Sequence, residues 1–448
     1  MAKNVKISKG VDIKLVGEAE KKISAISSST VAVKPPDFHG MIPKMEVKQG
    51  DEVKAGTPLF YDKYNDAIKY VSPVSGEVAE VVRGEKRKIL EVKVLADKET
   101  KYESFDTSSW NTLDADKLKD LLCKGGQWGF IRQRPYDVVA NPKDTPKAIF
   151  VSTFDSAPHA PDYGYILRER GSDLQAGIDA CKKLTSGKVN LVLDGRGEKG
   201  VFSNLKNCEI HSISGPHPAG NVGVQIHHID PVNKGERVWV LNPQDLAAIG
   251  SFLNHGKIDA HRTIALTGAQ VSKPQYHTVT LGSSLKSICE GNTIGDHNRY
   301  ISGNVLTGDN VGRAGYLGAY AHQITVIRED HEPELFGWLA PGFDKFSLSK
   351  TFFSWLSPNK SYNLGTGLHG EERAFVMTGE YEKVFPFDIL PVYLLKAMVT
   401  SDIEKMENLG VYEVAPEDFA LCEFGCTSKI NVQAIVRDSL DLIQKECG

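Results

Sequence analysis

Between residues 31 and 95 the apolar positions fall in short β-rich runs broken by glycine and proline: VAVKPPDFHGMIPKMEVKQGDEVKAGTPLFYDKYNDAIKYVSPVSGEVAEVVRGEKRKILEVKVL. Strands of about four to seven residues separated by turn signals predict a small all-β barrel or sandwich. The period then changes. DADKLKDLLCK at 114–124 predicts a helix with Asp114 as its N-cap. AIFVSTFD at 148–155 predicts a buried strand, Ser172 caps the helical run DLQAGIDACKKL, and KVNLVLD predicts a second strand. Strand, helix and strand in that order form a βαβ unit, whose parallel strands carry a ligand crevice at their carboxyl ends. CEIHSIS at 208–214 and VGVQIHHI at 222–229 read as further strands. Residues 259–291 give a strand, a glycine turn, a strand with a proline bend and the short helical run SLKSICEG. From about 331, aromatic irregular segments such as PELFGWLAPGFDKFS give way to the helical patterns LPVYLLKAMV, SDIEKMENLG and NVQAIVRDSLDLIQKEC.

This order predicts a multidomain α/β protein. Residues 1–100 are expected to form a biotinyl/lipoyl-like β hammerhead and 101–257 a Rossmann-like layer with degenerate flavin-site loops. Residues 258–330 resemble a β-grasp soluble-ligand-binding module, and 331–448 are expected to be largely α-helical. In carrier domains similar to the first segment, a lysine at a hairpin tip is acylated by the cofactor. Counting back from Ser72-Pro73, that position falls on Asn65, with Lys63 and Lys69 out of register to either side. The segment therefore reads as a docking surface, because a fold does not carry its relatives' function with it.

Composition narrows the function classes. The chain has 448 residues, enough for about three domains. A net charge of −4 leaves no basic footprint for nucleic acid. Seven scattered cysteines do not form a disulfide framework and suit a reducing compartment. No apolar run reaches the roughly 20 residues of a membrane span; the best, ILPVYLLKAMV at 389–399, is short and interrupted by Pro391 and Lys396. A cytoplasmic protein is the expectation.

Two glycine-rich stretches invite a nucleotide reading and fail it. Gly195, Gly197 and Gly200 satisfy G-x-G-x-x-G after a strand, but only VFSNLKN follows before the next β-like run, and no acid stands where the ribose would need one. In GPHPAGNVGVQIHHID, residues 215–230, two prolines lack the donor that a phosphate cradle requires. Of its histidines, His227 and His228 would point to opposite faces of a strand and leave too few ligands beside His217 for zinc. A rigid turn feeding a strand is the simpler reading, and no metal is expected.

Four stretches, GMIPKMEVKQGDEVKAGTPLFYDK, RGEKR at 83–87, HPAGNVGVQIHHIDPV and FALCEFGCTSK at 419–429, occur in the order found in one family. They resemble the NqrA subunits of the sodium-translocating NADH:quinone oxidoreductases, over nearly the whole chain. The resemblance implies a peripheral subunit on the cytoplasmic side of the inner membrane, held there by partner subunits, including integral membrane flavin subunits. It implies a part in quinone binding and in the step from ubisemiquinone to ubiquinol, coupled to sodium export. Flavins and the iron–sulfur centre are expected in the partners. With no acidic residue in a membrane span, the sodium path belongs to them too.

The architecture also resembles the flavin- and NADH-binding subunit of respiratory complex I and the RnfC subunit of the Rnf complex. Those relatives carry a glycine run where this chain has Gly125, Gly126, Gln127, Trp128, Gly129 and Phe130, and an acidic run where it has Phe154, Asp155, Ser156, Ala157 and Pro158. The flavin and nicotinamide sites are expected to be lost. Cys422 and Cys426, with Cys447 a helix away, fall short of the four thiolates of a cluster. A quinone slot needs apolar walls and one or two donors. PPDFHGMIP offers Phe38, His39 and Met41, and WGFIRQRPY offers Phe130, Arg132 and Tyr136; ordinary packing at a domain junction explains both equally. A cofactor-free assembly scaffold is the alternative function. Arg83, Lys86 and Arg87 in the charged turn are candidates for a partner interface, or a solvated turn. The purified chain is expected to be colourless, and an ultraviolet–visible spectrum with stoichiometric flavin bands, or iron by metal analysis, would contradict this.

Overall fold

The computed structural model describes residues 2–330, 336–337 and 339–448, so part of the aromatic stretch at 333–347 lies outside the described residues. Four sheets organise the described residues. Thr30–Val33, Ile89–Ala96, Gly76–Arg83 and Glu52–Val53 form one antiparallel sheet, and Pro43–Met45, Pro58–Asp62 and Asn65–Val71 a second that closes over it. Alternating burial along these strands fills the space between the sheets with Val31, Leu59, Phe60, Val78, Val92 and Val94. The hairpin between Pro58–Asp62 and Asn65–Val71 pairs Asp62 with Asn65. Its two-residue tip is therefore Lys63-Tyr64, not Asn65: the returning strand is longer than the carrier spacing assumes, and Lys63 stands exposed at the tip.

A seven-stranded sheet forms the centre. Asn4–Lys6, Glu209–Ser214, Lys188–Asp194, Ala148–Ser152 and Val238–Leu241 run parallel, and Arg132–Arg134 and Val138–Val139 add an antiparallel edge. Its central strands are mostly apolar, as a sheet covered on both faces requires. On one face, helices Gly171–Leu184 and Pro243–His255 pack so closely that a Cβ on Gly250 would stand 1.8 Å from the Asp173 carbonyl oxygen. The first of these begins at Gly171, after Arg170 and not with Ser172 as its cap. The helix Ala115–Lys124 is capped as expected, Asp114 accepting from the Lys117 N–H. A six-stranded sheet follows, in the order Asp309–Asn310, Asn298–Ser302, Gln323–Arg328, His261–Thr267, Gln275–Thr280 and Glu20–Ala25. Helices Pro391–Val399, Ile403–Asn408 and Val432–Cys447 close the other face of the central sheet.

Two short strands near the start of the chain do not join the β hammerhead. Asn4–Lys6 extends the central sheet beside Glu209–Ser214, and Glu20–Ala25 pairs with Gln275–Thr280. The stretch VGVQIHHI is also not a strand: Val222–Ile229 is a helix. The Pro218–Asn221 turn delivers Asn221 to its start in extended conformation, and Val222, Ile226 and Ile229 then recur at helical spacing. Packing against the central sheet overrides the β-propensity of valine and isoleucine.

Trp128 is fully buried, its Nε1–H donates to the Ala140 carbonyl at 2.7 Å, and its ring meets Trp239 edge to face at 5.2 Å. Trp128→Ala is expected to cost about 3–5 kcal/mol, read as a lower urea midpoint at unchanged slope.

Candidate functional site

The loop Pro35–His39, the antiparallel edge of the central sheet, Tyr320 and the start of the C-terminal helix Val432–Cys447 meet around one cavity of about 350 Å³. Val138, Val139, Pro416 and Ala434 give it apolar wall; Asp37, His39, Arg132 and Tyr320 give it polar groups. Arg132 donates from Nη1 to Asp137 at 3.2 Å and lies 5.1 Å from the Tyr320 ring centre. Arg437 holds the Tyr136 carbonyl at 2.9 Å and stands 3.7 Å from Asp137. Tyr136 and Asp137 both have left-handed backbone, φ 79° and 54°, a strained turn that this charge network fixes. Burial pushes the Asp137 carboxyl up, but the guanidiniums of Arg132, Arg134 and Arg437 and the imidazole of His39 hold it below the usual carboxylate range.

A second, narrower cavity of about 60 Å³ adjoins at Asp37, which lines both. Its walls include Phe38, Tyr70, Val71, Phe130 and Leu317, with Lys34 and Gln127 as polar members. Lys34 pairs with Asp37 at 3.2 Å, and Asp37 accepts the Ala319 N–H at 2.7 Å. Burial raises the Asp37 carboxyl, against the pull of Lys34. Gly126 belongs to this wall with φ 69°; a Cβ there would stand 2.4 Å from Val71.

The six residues proposed from sequence separate accordingly. His39 and Arg132 line the larger cavity, and Phe38 and Phe130 the smaller. Met41 packs against the core, and Tyr136 is buried with its ring 6.4 Å from Tyr412; neither lines either of these two cavities. Lys34, Asp37, Tyr320 and Arg437 complete the site and were missed. Lys34 and Asp37 left a trace, a charged pair at i, i+3 inside the apolar run VAVKPPDF. Tyr320 and Arg437 left none, because only the tertiary fold brings them here. Arg83, Lys86 and Arg87 lie exposed on the hairpin between Gly76–Arg83 and Ile89–Ala96, with Lys86 and Arg87 at positive φ.

The remaining candidates lie outside both cavities. Trp128 lines neither cavity. Cys422 and Cys426 are buried, and burial pushes the Cys422 thiol well up, which disfavours its thiolate. His227 and His228 lie side by side on a helix, their ring centres 5.1 Å apart, instead of on opposite faces of a strand. His227 accepts the Asp388 N–H at Nε2, 3.0 Å, so its Nδ1 carries the proton donated to Glu413 at 2.7 Å. His217 lies apart from them, its Nδ1 3.0 Å from Ser156 Oγ, which in turn accepts the Gly220 N–H at 2.7 Å. GPHPAG is thus a clasp on the segment that carries Asp155 and Ser156.

Three models of one family match in chain order: the NqrA N-terminal barrel-sandwich hybrid domain over residues 5–97, the NqrA second alpha/beta domain over 113–258, and the NQRA C-terminal domain over 263–313. The NqrA subunit of the Na(+)-translocating NADH-quinone reductase of Alcanivorax borkumensis is 37% identical over 449 aligned positions, covering 99% of this chain and all of that protein. The NqrA subunits of Hahella chejuensis and Neisseria meningitidis serogroup A are 38% and 37% identical over 446, each again covering 99% of this chain and 100% of the relative. The chain belongs to the NqrA family of Na(+)-translocating NADH-quinone reductase subunits. Two structures of an NAD+-reducing [NiFe]-hydrogenase align over 77% and 75% of the chain, and 67% and 63% of theirs, at 11% and 12% identity with TM-scores of 0.39 and 0.41, a likeness too loose to assign residues. The resemblance seen in the four motifs therefore holds along the full length, and the family's N-terminal barrel-sandwich hybrid domain coincides with the two small β-sheets.

In this member of the family, burial depresses His217 from 6.5 to about 4, with only the charge of Asp12 opposing. The folded state favours neutral imidazole, so this contribution is fully present above pH 6.5 and is lost as pH falls towards about 4. It is worth on the order of 3 kcal/mol. Urea unfolding of His217→Gln between those pH values is expected to show a flatter pH dependence than that of the parent chain.

Proposed function

We propose that this chain is a peripheral subunit of a sodium-translocating NADH:quinone reductase and that the 350 Å³ cavity receives the quinone ring. One observation carries the reading: the cavity brings His39 and Arg132, distant in sequence, to one space with a partly apolar wall at the meeting of several segments. An apolar cavity of about 150 Å³ already holds a benzene ring, so the larger cavity suits a substituted quinone and the 60 Å³ slot beside it does not without opening. Arg132 supplies N–H donors to a ring oxygen; Val138, Val139 and Ala434 supply the apolar face.

The central sheet is read as Rossmann-like and the six-stranded sheet as a β-grasp module. The flavins, the iron–sulfur centre and the sodium path are assigned to the partner subunits. No helix among the described residues is long and apolar enough to cross a membrane, which agrees with attachment through those partners on the cytoplasmic side. The turn bearing Arg83, Lys86 and Arg87 is a proposed contact with them.

Titration calorimetry of the purified chain with a short-tail ubiquinone tests the reading. Saturable binding is expected. Arg132→Met should weaken it about tenfold to a hundredfold, as for loss of a charged hydrogen bond, and Ala434→Trp should block the cavity. No binding by the parent chain, or equal binding by both variants, would favour the cofactor-free scaffold.

A further inference from the structure

A quinone becomes a quinol by gaining two electrons and two protons, and the cavity's polar groups differ in their capacity to provide the latter. Arg132 and Arg437 do not release protons. Asp137 is fixed between them, and Asp37 is engaged with Lys34 and the Ala319 N–H. Tyr320 donates its hydroxyl to the Gly129 carbonyl at 2.5 Å, and burial raises it well above the usual phenol range. His39 is different. It lines the cavity while its side chain is 40% exposed, so one imidazole borders both the cavity and water. Imidazole is the side-chain type that exchanges protons near neutral pH.

The second observation is what holds that ring. His39 Nε2 lies 2.7 Å from Oδ1 of Asp441. A carboxylate only accepts, so Nε2 carries the hydrogen and Nδ1 is the nitrogen left to exchange. Asp441 projects from the C-terminal helix one turn after Arg437, whose Nη1 lies 3.4 Å from the same carboxylate oxygen. Arg437 also holds the Tyr136 carbonyl at the strained turn, so the carboxylate that orients His39 is tied to the wall of the cavity.

We infer that His39 is the proton donor to a quinone in this cavity and that Asp441 is the positioning residue that presents its ring, an inference that rests on the quinone reading above. As two electrons from NADH reach the ring through the complex, the Nδ1–H bond of the His39 imidazolium breaks and an O–H bond forms at one ring oxygen. The other oxygen takes its proton from water at the cavity's solvent side. The neutral imidazole, still donating from Nε2 to Asp441, is reprotonated from solvent.

The test uses the purified complex carrying His39→Gln, Asp441→Asn or Asp441→Glu, with quinol formation from a short-tail ubiquinone followed from about pH 6 to 9. Affinity of each purified chain for the same quinone is measured alongside. His39→Gln is expected to bind within about threefold of the parent yet form quinol at least tenfold more slowly, since a positioned acid contributes about 10²–10⁴. It should also lack the decline in rate as pH rises that is expected of the parent if His39 is the donor. Asp441→Asn should displace that decline with little change in affinity, and Asp441→Glu should restore it; a contact that merely docked the helix would move neither. If the parent chain binds quinone and His39→Gln keeps its rate and pH profile, the proton role is wrong and the site stands. If His39→Gln abolishes binding, His39 holds the ring instead of protonating it, and the inference again fails. If the parent chain itself does not bind, the quinone site falls and this inference with it.

Discussion

The arrangement around the cavity depends on one buried cation. Arg134 is 1% exposed, and its guanidinium meets Glu417 at 2.5 Å and the fully buried Asp418 at 3.2 Å. Burial raises Asp418 to about 7 even with Arg134 beside it, which shows how little water remains to share the charge. Removing one partner of such a group costs far more than the intact group contributes, so its effect is to fix geometry. Asp418 also accepts the Ala415 N–H, and a Cβ on Gly223 would stand 2.5 Å from both its carboxylate oxygens. The helix Val222–Ile229, the edge strand Arg132–Arg134 and the segment leading to the C-terminal helix Val432–Cys447 are thereby locked together. Arg132 lies two residues along the same strand, on the same face, and inherits its place in the cavity from that lock.

Local chemistry made much of this legible. The Asp114 cap, the apolar strands of the central sheet and the glycine- and proline-punctuated β-domain are set by neighbours in sequence, and they stand where the pattern places them. The misreadings arose where distant contacts decide. VGVQIHHI alternates like a strand, but Asp418 and the central sheet favour a helix. Carrier spacing puts a hairpin tip at Asn65, whereas pairing of Asp62 with Asn65 puts Lys63 there.

The site follows the same division. Glycine and aromatic content marked the two stretches that contribute to it, yet within each stretch only tertiary placement separates His39 from Met41 and Arg132 from Tyr136. Arg437 and Asp441 lie on the polar face of an amphipathic helix whose sequence reads as solvent-facing. Nothing local distinguishes them from the many exposed ion pairs elsewhere on the surface, which contribute little.

The strands Asn4–Lys6 and Glu20–Ala25 have a consequence for how the chain matures on the ribosome. Both are made before the β-domain, but their partners, Glu209–Ser214 and Gln275–Thr280, emerge only after it and most of the central sheet. Synthesis runs at about 5–20 residues per second, so these two segments spend on the order of ten seconds or more as unpaired edges. Glu20–Ala25, EKKISA, bears three charges and is exposed along its whole length, which blunts it as a template for mispairing while it waits. One edge of each of the two largest sheets is thus closed by a segment made before the β-domain, and the domains mature as one interlaced unit instead of successively.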